Sequence, residues 1–127
     1  LAKIKPLKVV YGNIDNASIR SQFDEDLFFI IGGIRVFMTH IGGKPPLYAK
    51  GIGEKLKHLN PDIFICGHSH ILKVSFDKKN KLLFMNPGAV GKHGFHKKQT
   101  MIRFEIKGKK VQNLVVIELG DKQREKL

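Results

Sequence analysis

The sequence predicts an α/β (α+β) chain, a sandwich of two β-sheets with helices outside. Three features carry this. Apolar runs such as LKVVY (7–11) and DIFIC (62–66) pass directly into polar loops, the texture of strands covered on both faces. Pairs of β-rich runs around tight turns recur through the chain, as in an antiparallel sheet. A single stretch carries a strong helical period.

Leu7 to Tyr11 reads as a short buried strand that stops at Gly12, and Asn16 to Gln22 as one or two helical turns capped by Asp15 or Asn16. Leu27 to Ile31 and Ile34 to Thr39 flank Gly32-Gly33, a two-residue hairpin signal. THIGGKPP (39–46) is a loop by its Gly and Pro content. From Leu47 to Leu59, Tyr48, Ile52, Leu56 and Leu59 share one helical face, with Lys50, Glu54, Lys55 and Lys57 elsewhere, and Asn60-Pro61 ends the helix. Ile63 to Cys66 is a short strand. Leu72 to Phe76 and Leu82 to Met85 form a second hairpin; Met101 to Ile106 and Val111 to Leu119 form a third, turning at Lys107-Gly108-Lys109. The expected organisation is one domain over 1–120 and a charged tail over 121–127.

Lys and Arg number 23 against 11 Asp and Glu, a net charge of +12. Such a surface attracts phosphate-rich or acidic partners and also serves solubility. Nucleic acid is therefore a candidate partner, although the lysines are scattered and no nucleic-acid-binding motif accompanies them. The one cysteine, Cys66, excludes an intrachain disulfide and suits a cytoplasmic location. It ends an apolar strand, which predicts a buried, inert thiol. No apolar run reaches the length of a membrane span.

Three polar clusters stand just after apolar strands: Asn13-Ile14-Asp15, Thr39-His40 and Gly67-His68-Ser69-His70. Strand ends that gather on one side of a sheet are where ligands bind. Imidazole nitrogen with amide or carboxylate oxygen suits borderline divalent ions such as manganese, nickel, iron or zinc. In extended backbone His68 and His70 point the same way, so both can face one site, and glycine at 12 and 67 allows sharp turns there. Each cluster has a plainer role: Asn13 and Asp15 in a turn or helix cap, the histidines in a polar loop.

The ordered set GNID (12–15), TH (39–40), GHSH (67–70) and NPGA (86–89) resembles the calcineurin-like metallophosphoesterase superfamily. More narrowly, it is similar to the small bacterial and archaeal phosphodiesterases to which the retromer scaffold subunit is related. The resemblance implies a four-layer αββα sandwich. It also implies hydrolysis of small phosphodiesters by a two-metal, metal-hydroxide mechanism, with two divalent ions, manganese first among them. On this resemblance Asn13, His40 and His68 correspond to ligands of one metal and His70 to a ligand of the other, while NPGA corresponds to a structural turn.

The pattern departs from the family in two places. The family opens with an Asp-x-His strand end and a following strand that carries a bridging aspartate, neither of which lies in this sequence. The expectation is an N-terminally incomplete sandwich, with a βαβ portion of about 30 residues or more upstream of Leu1. As written, the chain is expected to hold one metal and to be impaired in catalysis. Apolar edges left uncovered would favour a homo-oligomer. Second, Ile14 stands where many members have a proton-donating histidine, which favours substrates with good leaving groups.

Asp15 is a candidate catalytic or phosphate-contacting residue. Lys92 and His93, in a basic loop with His96, Lys97 and Lys98, are candidate phosphate contacts. Two rival functions stand beside the phosphodiesterase: a non-catalytic protein-interaction scaffold on the same fold, and a basic nucleic-acid-binding module. No membrane partner is expected.

Overall fold

A computed structural model of the chain describes residues 10, 25–89 and 98–121. The elements in order are β1 (Asp26–Ile31), β2 (Ile34–Thr39), β3 (Gly43–Lys44), β4 (Leu47–Tyr48), α1 (Ile52–Leu59), β5 (Ile63–Ile65), β6 (Lys73–Asp77), β7 (Leu82–Asn86), β8 (Lys98–Lys107) and β9 (Lys110–Asp121). The expected strand at 7–11 and helix at 16–22 fall outside the described residues, apart from Val10 in an isolated bridge.

The main sheet has the order β1-β2-β5-β7-β6. Its centre is parallel: Val36 pairs with Ile63 and Ile63 with Leu83. Antiparallel hairpins form both edges. The β1–β2 turn is Gly32-Gly33, with φ of 57° and 79°, a left-handed pair that glycine adopts without steric cost. A third hairpin, β8–β9, turns tightly at Gly108-Lys109 and carries register shifts near Gln99 and Arg103.

Alternation along the central strands sends side chains to opposite faces. One face presents Phe37, Phe64 and Phe84 to Ile52 and Leu56 of α1. The rings stack or meet edge to face, Phe37–Phe64 at 5.3 Å and Phe64–Phe84 at 5.9 Å between centroids. The other face presents Val36, Ile63 and Met85 to Ile102, Phe104 and Ile106 of the β8–β9 ribbon. Helix, sheet and ribbon thus make three layers among the described residues, and the fold is mixed α/β, as the sequence predicts.

The helix is shorter than predicted. Leu47 and Tyr48 belong to β4, paired with Gly43 and Lys44, and α1 begins only after Gly51, whose φ of 83° is left-handed. Tyr48 still packs its ring on Phe64, at 5.7 Å between centroids, so its apolar character is satisfied outside a helix. At the other end Asn60 turns left-handed and donates its N–H to the Leu56 carbonyl at 2.8 Å, after which Pro61 cannot continue the helix. The Arg35 guanidinium donates to the Leu59 carbonyl and ties the helix end to β2.

Candidate functional site

Because β2, β5 and β7 run parallel, their carboxyl ends lie along one edge of the sheet. The chain leaves them as His40, as Cys66-Gly67-His68 and as Pro87-Gly88. The sequence separation of 28 between His40 and His68 thereby closes to a side-chain contact: His68 Nδ1 lies 3.3 Å from His40 Nε2. The rings are near-perpendicular, with centroids 5.1 Å apart. Backbone fixes the pair as well, since the Gly67 N–H donates to the His40 carbonyl at 2.8 Å.

Neighbouring groups hold both strand ends. Thr39, buried beside His40, donates its hydroxyl to Asp26 Oδ1 at 2.8 Å, and Asp26 Oδ2 pairs with Lys55 of α1 at 2.5 Å. Asn86, 3% exposed, donates through Nδ2 to the Gly67 carbonyl and to Ser69 Oγ, both at 3.1 Å. Its Oδ1 accepts the Gly88 N–H at 3.0 Å. The turn after β7 therefore clamps the GHSH loop, the structural role expected of NPGA. Gly88 has φ 79°, and a Cβ there would stand 2.2 Å from Thr100 Oγ1.

Two sequence expectations change here. His68 and His70 have φ of 67° and 61°, so the loop is left-handed at both histidines and not extended; alternation along a strand gives no reason for them to face one point. The sharp turning also falls on the histidines rather than on Gly67, where an added Cβ would meet only ordinary contacts, the nearest at 3.6 Å to His40 Nδ1. Left-handed non-glycine residues cost of order 1–3 kcal/mol each and concentrate at functional sites.

The pair fits a divalent ion. Two imidazole nitrogens held at about 2.0–2.1 Å by one tetrahedral ion are about 3.3–3.4 Å apart, which is the separation of His40 Nε2 and His68 Nδ1. A hydrogen bond between neutral rings has the same reach. Among the described residues no group of three or more His, Cys, Asp or Glu side chains is placed to hold a metal. Asn13, Asp15, Lys92 and His93 lie outside the described residues.

Cys66 is buried, and burial pushes its thiol up to about 11, as expected of an inert cysteine. A cavity of about 500 Å³ opens beside His68, bounded by Gly67, Ser69, Phe84 and Asn86 on the sheet side. Lys44 and Lys73 also line it, together with exposed apolar side chains of the flanking segments. No periodicity in the sequence marks these positions, because loops from separate parts of the chain bring them together. Among the described residues no helix is long and apolar enough to cross a membrane.

A family model described as calcineurin-like phosphoesterase superfamily domain matches residues 1–109. Three solved structures show the same fold. A predicted phosphoesterase from Streptococcus pneumoniae aligns with TM-score 0.68 at 21% identity, over 87% of this chain and 62% of that one. Vps29 from Entamoeba histolytica, complexed with zinc, aligns with TM-score 0.64 at 19% identity, over 88% and 68%. A phosphodiesterase from an archaeon aligns with TM-score 0.61 at 20% identity, over 85% and 67%. No curated protein sequence matches the chain.

Proposed function

The chain belongs to the calcineurin-like phosphoesterase superfamily, and from that premise we propose that its protein is a metal-dependent phosphodiesterase acting on small phosphodiesters. The observation that carries the proposal is the facing of His40 Nε2 and His68 Nδ1 at 3.3 Å, at the carboxyl ends of two parallel strands. His40 and His68 are the ligands of one divalent ion, manganese first among the candidates, with nickel, iron and zinc behind it. Asn13 completes that ligand set on the family's pattern, and His70 serves a second ion. When bound, such ions polarise the phosphoryl group and activate water for attack.

The remaining residues orient and hold. Asn86 fixes the loop that presents His68, and Thr39 with Asp26 fixes the strand end that presents His40. Ile14 offers no proton to a leaving group, so substrates with stable leaving groups are favoured. Asp15, Lys92 and His93 are proposed contacts to phosphate oxygens. The protein works in the cytoplasm on this reading.

The test is hydrolysis of bis(para-nitrophenyl) phosphate by the full-length protein with added manganese. Turnover that disappears with His68→Ala and with chelator supports the proposal. Turnover indifferent to both overturns it.

A second reading, a protein-interaction scaffold, rests on the resemblance of the GNID, TH, GHSH and NPGA motifs to the retromer scaffold subunit as well as to the phosphodiesterases. A full-length protein that binds no metal and hydrolyses no phosphodiester, but co-purifies in a stoichiometric complex, would make that reading the better one.

A further inference from the structure

We infer that the cleft beside the histidine pair binds a phosphodiester carrying a flat apolar group and a second anionic group beyond the scissile phosphate. The inference rests on the phosphodiesterase reading. Ile41, Leu47, Ile71 and Leu72 are 44%, 83%, 64% and 37% exposed, and all four line the one cavity next to His68. Single exposed apolar side chains are ordinary on a protein surface. Four that converge on a concave site leave apolar surface in water that a ligand can cover. The volume, about 500 Å³, is that of a small-molecule site.

The charge in the cleft sets the second requirement. A phosphodiester carries one negative charge, which an ion held by His40 and His68 would meet at the His68 end of the cleft. Lys44 and Lys73 line the same cavity and exceed what that one charge needs. Ammonium groups in a concave, partly apolar site favour further phosphate oxygens. Both lysines stand on paired backbone. Lys44 is held opposite Leu47 in the β3–β4 ladder, and Lys73 opposite Asn86 in the β6–β7 ladder. The apolar residues belong to the same two walls. The run from the end of β2 into β4 carries Ile41 and Leu47, and the run from the GHSH loop into β6 carries Ile71 and Leu72. Ring on the apolar wall, scissile phosphate at the histidines and an added phosphate at the lysines together describe a short nucleotide-type phosphodiester with a terminal phosphate.

The experiment is calorimetric titration of the full-length protein with manganese present, the internucleotide linkage being a phosphorothioate that keeps its charge and resists hydrolysis. The ligands are a diadenosine dinucleotide with and without a 5′-phosphate. The phosphorylated dinucleotide is expected to bind about tenfold tighter, the scale of one charge-assisted contact. The Lys44→Ala/Lys73→Ala double variant is expected to erase that difference, and Leu47→Asp to weaken both ligands; circular dichroism checks that each variant is folded. Equal affinity for the two dinucleotides, no binding of either, or a difference that survives the double variant overturns the inference. Hydrolysis of bis(para-nitrophenyl) phosphate is read separately. An active protein without the preference removes only the cleft assignment, and a selective but inert protein removes only the catalytic reading.

Discussion

Asn86 Nδ2 donates to the carbonyl of Gly67 at 3.1 Å, so the last residue of β7 sets the position of the loop that follows β5. The same amide reaches Ser69 Oγ at 3.1 Å, and the Ser69 hydroxyl in turn accepts the Ile71 N–H at 3.2 Å. Replacing Asn86 by Ala removes these donors inside a buried site. The expected loss is about 1–3 kcal/mol of stability. Metal affinity should also fall about 10- to 100-fold, as when a ligand's supporting partner is removed. Denaturant unfolding and metal titration read the two effects, and unchanged metal affinity would exclude Asn86 as a positioning residue.

Gly88→Ala places a methyl where Thr100 Oγ1 stands, 2.2 Å from the built Cβ, on a residue with φ 79°. The Thr100 hydroxyl donates to the Pro87 carbonyl at 2.8 Å, so it cannot yield without losing that bond. Destabilisation of about 1–3 kcal/mol is expected. Thr100→Ala removes the obstacle but not the left-handed φ, so the double variant should recover only part of the loss. Thermal unfolding of the two single variants and the double variant checks this.

The hairpins were legible because their signals are local: Gly32-Gly33 and Gly108-Lys109 set their turns whatever the rest of the chain does. The start of α1 was not, because Tyr48 fits a helical face by spacing yet reaches the same Phe64 from β4. Gly51 is the residue that separates the two outcomes, through its left-handed φ. In the site, His40 and His68 were identifiable by type and by place after apolar strands. Their contact depends on the parallel pairing of β2 with β5, which spacing alone does not encode. The left-handed turns at His68 and His70 were invisible, since histidine carries no strong signal for that conformation. The cleft was invisible for a further reason: its walls come from segments joined only in the fold.

Tyr48 donates its hydroxyl to Asp77 Oδ2 at 2.5 Å, and the two groups are displaced in opposite directions from their ordinary values. Burial pushes the Asp77 carboxyl up. Hydrogen bonds from the Asn80 side chain and the Tyr48 hydroxyl outweigh burial and hold it below its ordinary value. Burial first, and then Asp77, push the Tyr48 hydroxyl above its ordinary value. Asp77 thus stabilises the fold above the unfolded carboxylate value of about 4 and loses that contribution as pH falls through its lowered value. Tyr48 contributes below about pH 10 and loses its contribution as pH rises through its raised value. Asp77→Asn should flatten the acid limb of the stability–pH profile and Tyr48→Phe the alkaline limb, the latter at a cost of about 1 kcal/mol near neutrality. Acid limbs that match between wild type and Asp77→Asn would remove the carboxylate from this account.

Cys66 is 2% exposed, with its thiol raised to about 11 by burial. Little thiolate forms near pH 8, and the sulfur is out of reach of a bulky reagent. The folded protein should resist iodoacetamide at that pH, while the chain in denaturant alkylates at the rate of an ordinary cysteine. Mass spectrometry counts the adduct. Rapid labelling of the folded protein would place the sulfur at an open surface and reopen a chemical role for it.

On the proposed function His40 and His68 should act as a unit in metal binding, because one ion would draw on both nitrogens across their 3.3 Å separation. His40→Ala and His68→Ala are each expected to lose manganese or zinc affinity by two orders of magnitude or so, as when a ligand bond rather than a supporting contact is removed. The double variant should lose little more than either alone, since effects on a shared site do not add. Protons compete for imidazole, so wild-type affinity should fall as the medium is acidified, and less steeply in either single variant. Titration of the full-length protein with each metal, at a series of pH values, reads affinity and proton release together. Independent, additive losses in the two variants would mean that the rings touch without sharing an ion.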